Sequence, residues 1–417
     1  MTLPVDLRTP LLQSYAAALA AVDGRTAVRR WLEREPPPPV PVFLLAVGKA
    51  AGAMAQGAVD VLGGRIGGGL VVSKPGHLDV AQCKAGGLEA LEGGHPVPSA
   101  GSLAAGRRLL QLLDGCRGGV VLCLFSGGAS SLLEVPAAGL GLRDLQRAGD
   151  WLLGSGLAIA GVNSVRKALS RIKGGGLLPW LSGCRVMALA ISDVPGNDAA
   201  VIGSGLLVPD PGLAARLAAL DLPPWLRGWV NAGLAERSGI PSQGPAVRIV
   251  ADLDQAKAAA AERADALGHR TFVHGEFVAG SAASAGAKLA RELMSAAPGV
   301  HVWGGETTVV LPPRPGRGGR SQHLALAAAM ALAGRGDCAL LSAGTDGSDG
   351  PTEDAGALVD GGTVARAARA GLDPAAALRQ ADSGRLLAAA GDLIRTGPTG
   401  TNVMDLMLGL RAGASGP

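Results

Sequence analysis

Taken as a pattern of apolar and polar positions, the chain from Val42 onward repeats one arrangement. A short, wholly apolar run ends in a glycine-rich turn, and a stretch with helical spacing follows. VFLLAV runs into Gly48 and then AAGAMAQGAVDVL; GLVVS, GVVLCLF and RVMALAI begin later rounds of the same pattern. A strand that is apolar at every position is buried on both faces. Such strands alternating with helices predict a parallel α/β sheet. Ahead of them, Thr9-Pro10 reads as a helix cap and first-turn proline opening LLQSYAAALAAV. From Pro209 the pattern breaks into short helices interrupted by proline, and SGIPSQGP (Ser238 to Pro245) reads as a linker. A second α/β unit then begins at VRIVADLDQAKAAAAERADAL. Two domains, 1–240 and 241–417, are the expected division.

Composition narrows the class. The 417 residues provide material for two or three domains, and 65 glycines with 3% aromatics predict tight turns and cores of Ala, Leu and Val. Basic and acidic residues, 38 and 34, are scattered without long like-charge runs, so the net charge of +4 is no signal for nucleic acid. The five cysteines are odd in number and lack a C-x-x-C spacing, which favours reduced thiols in a cytoplasmic protein over disulfides or zinc. Gln13 and Ser14 interrupt the early apolar run, so it is not read as a signal peptide, and no run is long enough to span a membrane.

Candidate chemistry gathers between Val302 and Asp360. RPGRGGR (Arg314 to Arg320) opens into the apolar helix LALAAAMALA, and CALLSA ends in GTDGSDGPTEDAG. A helix N-terminus offers unpaired N–H groups, and Arg320 could add a planar fork for a phosphate or carboxylate. Asp346, Asp349, Glu353 and Asp354 stand in a turn of the kind that supplies oxygen ligands to Mg²⁺. In the first half, Lys49, the turn Ser126, Gly127, Gly128, Ser130, Ser131, and Ser192-Asp193 each follow a strand, where open parallel sheets bind ligands. The ordinary readings are a surface lysine, a helix cap and turn chemistry. Arg166, Ser170 and Lys173 fall on one face of NSVRKALSRIKGGGL, ordinarily a solvated basic helix. A P-loop, the protein-kinase motifs and the G-x-S-x-G elbow are absent, and GLVVSKPG ends in Ser73-Lys74 with no acid for a ribose.

Nine strings, in order from roughly Leu44 to Leu406, together resemble the glycerate 2-kinase family with a MOFRL C-terminal domain. They are VGKAAGAM, GGHPVPS, FSGGASSLL, NSVRKALSRIKGGGL, ISDVPGNDAAVIGSG, GGET, GRGGRSQHLAL, DGSDGPTEDAGALVD and TGPTGTNVMDL. The resemblance implies a Rossmann-like N-terminal domain, a smaller α/β C-terminal domain and an active site in the cleft between them. It also implies ATP- and Mg²⁺-dependent phosphorylation of glycerate to 2-phosphoglycerate. Lys49, Arg320 and Asp193 match the family's catalytic positions. Substrate and nucleotide contacts are expected at Ser126, Gly127, Gly128, Ser130, Asn163, Arg166, Lys173, Glu306, Gly318, Gly319, Gln322, Thr345 and Asp346, with Asp193, Asp346 and Asp349 as metal oxygens. Ser321, His323, Asn197 and Leu206 depart from the usual pattern. Glycerate and nucleotide are the expected partners, with a homodimer allowed. A hydroxypyruvate reductase and a nucleotide-binding relative without turnover are the competing readings.

Overall fold

The computed structural model describes residues 6–116 and 118–413. Residues Gly24–Ala251 form one unit; those up to Asp23, together with those from Asp252, form a second. In the first unit, β1 (Val42–Val47), β2 (Ile66–Ser73), β3 (Glu89–Glu92), β4 (Val120–Phe125), β5 (Arg185–Ile191) and β6 (Val247–Ala251) make one sheet in the order β3-β2-β1-β4-β5-β6. Every pairing is parallel. β4 is buried at all six positions and β1 at all but Phe43, as wholly apolar runs require. This is the doubly wound order, whose direction reverses between β1 and β4, and ligands gather beyond the strand ends at such a point.

The second unit carries β7 (Thr271–Val278), β8 (Gly299–Gly305), β9 (Cys338–Gly344), β10 (Gly356–Asp360), β11 (Leu393–Ile394) and β12 (Asp405–Arg411), ordered β11-β10-β9-β12-β8-β7. β12 runs antiparallel to both β8 and β9, so the C-terminal ends of β8 and β9 lie at the same edge as Asp405, the first residue of β12. The helix Arg320–Leu332 packs on this sheet. Its apolar residues surround the axis, and a helix of that composition belongs inside: Leu324, Ala325, Leu326, Ala328, Ala329 and Leu332 are fully buried.

The division of the chain differs from the expected one at both ends. VRIVA is β6, which extends the first sheet by pairing with β5, so the boundary falls at Asp252 and not near residue 240. The N-terminal helix Arg8–Ala21 belongs to the second unit. It packs on the helix Leu253–Ala266, and Arg8 pairs with Asp360 (2.7 Å) and with the buried Asp392 (3.1 Å). That helix starts at Arg8, ahead of the Thr9-Pro10 signal, because Asp6 accepts the Arg8 and Thr9 N–H groups. All five cysteines are free, and among the described residues no helix is long and apolar enough to cross a membrane.

Candidate active site

In the first unit the turns after β1 and β4 interlock. The Lys49 N–H donates to the Gly127 carbonyl (2.9 Å), the Ala50 N–H to Ser126 Oγ (3.0 Å), and the Ser126 N–H to the Val47 carbonyl (3.0 Å). Gly48, at φ 132°, passes so close that a Cβ there would run into Ser126 Oγ and its carbonyl. Only glycine lets the two turns mesh, and Lys49 is presented from that mesh. Asp193 follows the last residues of β5, half-buried, beside a Ser192 hydroxyl that donates to the Val194 carbonyl (3.2 Å).

Next to the Ser-Gly-Gly turn lies a cavity of about 310 Å³. One wall is apolar, with Leu145, Leu152, Leu153 and Leu169; the polar lining includes Ser130, Ser131, His95 and Arg166, together with Gln146, Asp150 and the Glu134–Lys173 pair. His95 Nδ1 lies 3.0 Å from Ser131 Oγ, and Ser130 shares a hydrogen bond with Ser204 (2.7 Å). Arg166 is half-buried, no carboxylate among the described residues pairs with it, and desolvation alone lowers its pKa. A desolvated guanidinium at a cavity wall is a ready partner for an anion.

The basic segment around it is not the solvated helix expected. The helix stops at Ala168, because the Arg171 N–H turns to the Val135 carbonyl (2.8 Å) and Gly174 and Gly175 take positive φ. Lys173 is buried and pairs with buried Glu134, which also accepts from Ser170 Oγ (2.5 Å). Lys167 is buried against Asp210 (2.9 Å). Asn163 lines a second cavity, of about 270 Å³, with Lys167, Asp210 and Arg216.

In the second unit the centre is Arg320. Its Nε and Nη2 grip Asp405 at 2.6 and 3.0 Å, and Nη1 lies 2.9 Å from Glu306. Burial opposes the charge, yet Asp405, Glu306 and Asp349 hold the guanidinium pKa well above its ordinary value. Asp405 is almost fully buried and Glu306 largely exposed, so the first pair is fixed and the second can exchange. Asp346, also buried, follows β9 and accepts the Ser348 N–H (2.9 Å) and hydroxyl (3.1 Å).

Several expected contacts prove to be internal. The helix N-terminus that was to cradle a ligand anion is filled by Asp349, which accepts the Ser321 N–H (3.1 Å) and the Gln322 N–H (2.7 Å). Each Asp349 oxygen thus accepts one backbone N–H. Gly319 lies flush against Asp349, and Gly318 against Gly384. Gln322 is fully buried and donates to Thr352 (2.9 Å). Thr345 locks the chain by donating to the Met404 carbonyl (2.6 Å) and accepting the Val403 N–H (2.8 Å). The departures Ser321 and His323 are buried too, His323 against Ser383 (3.1 Å). What the sequence reading missed are the partners: Glu134, Asp405 and Tyr15. Each acid stands alone among apolar neighbours, in SLLEV and VMDLM, which is the only local signal.

Burial pushes the Asp349 carboxyl up to about 7, with Asp405 adding to it and the two N–H bonds and Arg320 opposing. Asp349→Ala, which strands two buried N–H groups, is expected to cost about 1–3 kcal/mol in urea unfolding. The charge carries a pH signature. An unfolded aspartate titrates near about 3.9, so between there and about 7 the folded state holds the extra proton. The wild type should therefore lose stability relative to Asp349→Asn as pH rises through that window. A pH-independent difference between the two proteins would contradict this titration.

Two family models match the chain. Residues 10–221 match the domain of unknown function DUF4147, and residues 299–405 match the MOFRL family. The chain is 38% identical over 388 residues to the D-glycerate 2-kinase of Thermotoga maritima, covering 88% of this chain and 90% of that protein. It is 37% identical over 422 residues to a putative hydroxypyruvate reductase of Agrobacterium vitis, covering 96% and 94%. A crystal structure of glycerate kinase from Thermotoga maritima aligns with a TM-score of 0.83 at 34% identity, over 97% of this chain and 99% of that one. With its fold, its motifs in order and these relatives in agreement, the chain belongs to the glycerate 2-kinase family of enzymes.

Proposed function

We propose that the chain transfers the γ-phosphoryl group of ATP, as its Mg²⁺ complex, to the 2-hydroxyl of glycerate, giving 2-phosphoglycerate. The observation that carries the reading is Arg166, a half-buried guanidinium without a protein counter-ion, set in a largely apolar cavity beside the Ser-Gly-Gly turn. A cavity of about 310 Å³ with an apolar wall suits a nucleoside better than glycerate. The nucleotide phosphates would then meet Arg166, Ser130 and the turn's backbone N–H groups. Phosphoryl transfer asks chiefly for positioning and neutralised charge. Lys49 and Arg320 supply the cations for the transferring group and the glycerate carboxylate, with exposed Glu306 as the partner Arg320 gives up. Asp193 orients the acceptor hydroxyl.

Mg²⁺ takes one or two carboxylates and otherwise phosphate and water oxygens. Among the described residues no three His, Cys, Asp or Glu side chains are placed to hold a metal ion together, a donor set that suits a cation held largely by the nucleotide. Asp346 and Asp193 are the oxygens that could join it, and the bound ion would draw negative charge from the phosphates. Alanine at either position is expected to raise the Mg²⁺ concentration for half activity about tenfold or more. If neither variant shifts it, the metal rests on the phosphates alone.

The function is tested by incubating the protein with glycerate, ATP and Mg²⁺ and identifying the product by NMR. 2-Phosphoglycerate is expected; no phosphorylated product overturns the proposal, and 3-phosphoglycerate overturns its regiochemistry. The name of the Agrobacterium relative raises a reductase reading. Against it, β2 ends at Ser73 and is followed by Lys74, where an acid would hold a dinucleotide ribose. Oxidation of NADH by hydroxypyruvate would reverse that judgement.

A further inference from the structure

The chain has a single tyrosine, Tyr15, on the helix Arg8–Ala21. It is 2% exposed, and its hydroxyl donates to the carbonyl of Gly344 (2.6 Å), the last residue of β9. Gly344 begins the acidic loop. A Cβ there would stand 3.4 Å from Oδ1 of Asp346 and 3.4 Å from Oδ1 of Asp405, so both carboxylates rest against this one residue. Asp405 in turn holds the Arg320 fork. The other donor to the Gly344 carbonyl is the Gly347 N–H at 3.4 Å, a long bond within the loop itself. Thr345, next in the chain, is already tied to Val403 and Met404. The Tyr15 hydroxyl is thus one of several short tethers reaching this loop from elsewhere in the chain, beside the Thr399 hydroxyl on the Thr345 carbonyl (2.5 Å) and the Gln322 N–H on Asp349 (2.7 Å). It is the one that acts on the Gly344 carbonyl.

We propose that Tyr15 is a positioning residue for the phosphoryl-transfer site: by fixing the Gly344 carbonyl it sets Asp346 and, through Asp405, the guanidinium of Arg320. This rests on the kinase reading of Asp346 and Arg320 given above. Burial, with Asp346, Asp405 and Asp349 nearby, holds the phenol well above its ordinary pKa, consistent with a hydroxyl that remains a donor. A misplacement of about 1 Å in such supports can cost on the order of a hundredfold in rate. Losing one tether of several should cost less.

The experiment uses the full chain in two forms. For kinetics, Tyr15→Phe is compared with wild type, Asp346→Ala and Arg320→Lys at 25 °C, with folding checked by circular dichroism. Tyr15→Phe should lose about tenfold in kcat, with KM for glycerate and ATP within about twofold. For spectroscopy, 3-fluorotyrosine incorporated in place of tyrosine yields one ¹⁹F resonance, because the chain has one tyrosine. That resonance should move on Asp346→Asn without any substrate present. If Tyr15→Phe keeps kcat within about twofold of wild type while Asp346→Ala and Arg320→Lys are crippled, the positioning role falls and the site reading stands. If those two variants also turn over normally, the site reading falls and takes this role with it. A ¹⁹F resonance indifferent to Asp346→Asn likewise overturns the coupling.

Discussion

Arg320→Lys is expected to lose on the order of a hundredfold in kcat, the usual worth of a preorganised donor aimed at transition-state charge. Lysine keeps the charge but cannot reproduce two parallel N–H bonds. From sequence alone, a loop arginine of this kind would be expected to leave the melting temperature almost unchanged. The structure changes that expectation. The two N–H bonds of the fork go to Asp405, a carboxylate only 2% exposed, so lysine leaves one buried oxygen under-satisfied. The Arg320 side chain is itself 37% exposed, which keeps the stability loss to about 1–2 kcal/mol. The two effects are separable. Urea unfolding reads the structural part, and turnover per folded enzyme reads the catalytic part. A variant that is destabilised but turns over like the wild type would show Arg320 to be Asp405's counter-ion and nothing more.

Lys49→Gln should have an effect of similar or greater size on the other unit, about 10²–10³ in kcat. Glutamine keeps most of the stem and removes the charge. The backbone of residue 49 is held by its N–H bond to the Gly127 carbonyl and by the neighbouring bond to Ser126, neither of which involves the side chain. The backbone at residue 49 should therefore keep its place, and turnover is read per folded enzyme with the melting temperature measured alongside. Lys49→Arg would restore charge and recover part of the rate if charge is what matters. Full activity in Lys49→Gln would remove this residue from the chemistry. Gly48→Ala makes a useful contrast, because it disturbs the meshed turns directly through the clash with Ser126.

Much of the first unit was legible because its signals are local. VFLLAV and VVLCLF are apolar at every position, and a strand with no polar face can only lie inside a sheet covered on both sides. The helix LALAAAMALA announced its own burial in the same way. The strand-end turns were legible as turns, and Lys49, Ser126 and Asp193 do stand just past the ends of β1, β4 and β5. The order of motifs along the chain identified the family, since nine weak strings in sequence constrain one another.

Ion-pair partners were not legible, since a partner can come from anywhere in the chain. Arg320 looked like a free fork and the N-terminus of its helix like an open cradle. Asp405, some eighty residues on, takes the fork, and Asp349 takes the cradle. The basic segment after Asn163 read as solvated because its counter-ions, Glu134 and Asp210, are distant in sequence. Burying a charge is tolerable only beside an opposite one, and periodicity says nothing about which carboxylate arrives there. The same holds for the domain boundary: VRIVA looked like the first strand of a new unit, and only pairing with β5 could assign it to the old one. The sequence by itself determined that wholly apolar segments such as VFLLAV, VVLCLF and LALAAAMALA are inner strands and a buried helix, since burial on both faces or all round is written in each segment's own pattern. The tertiary structure alone decided which polar groups meet, because those contacts join residues such as Tyr15 and Gly344 that no local rule connects.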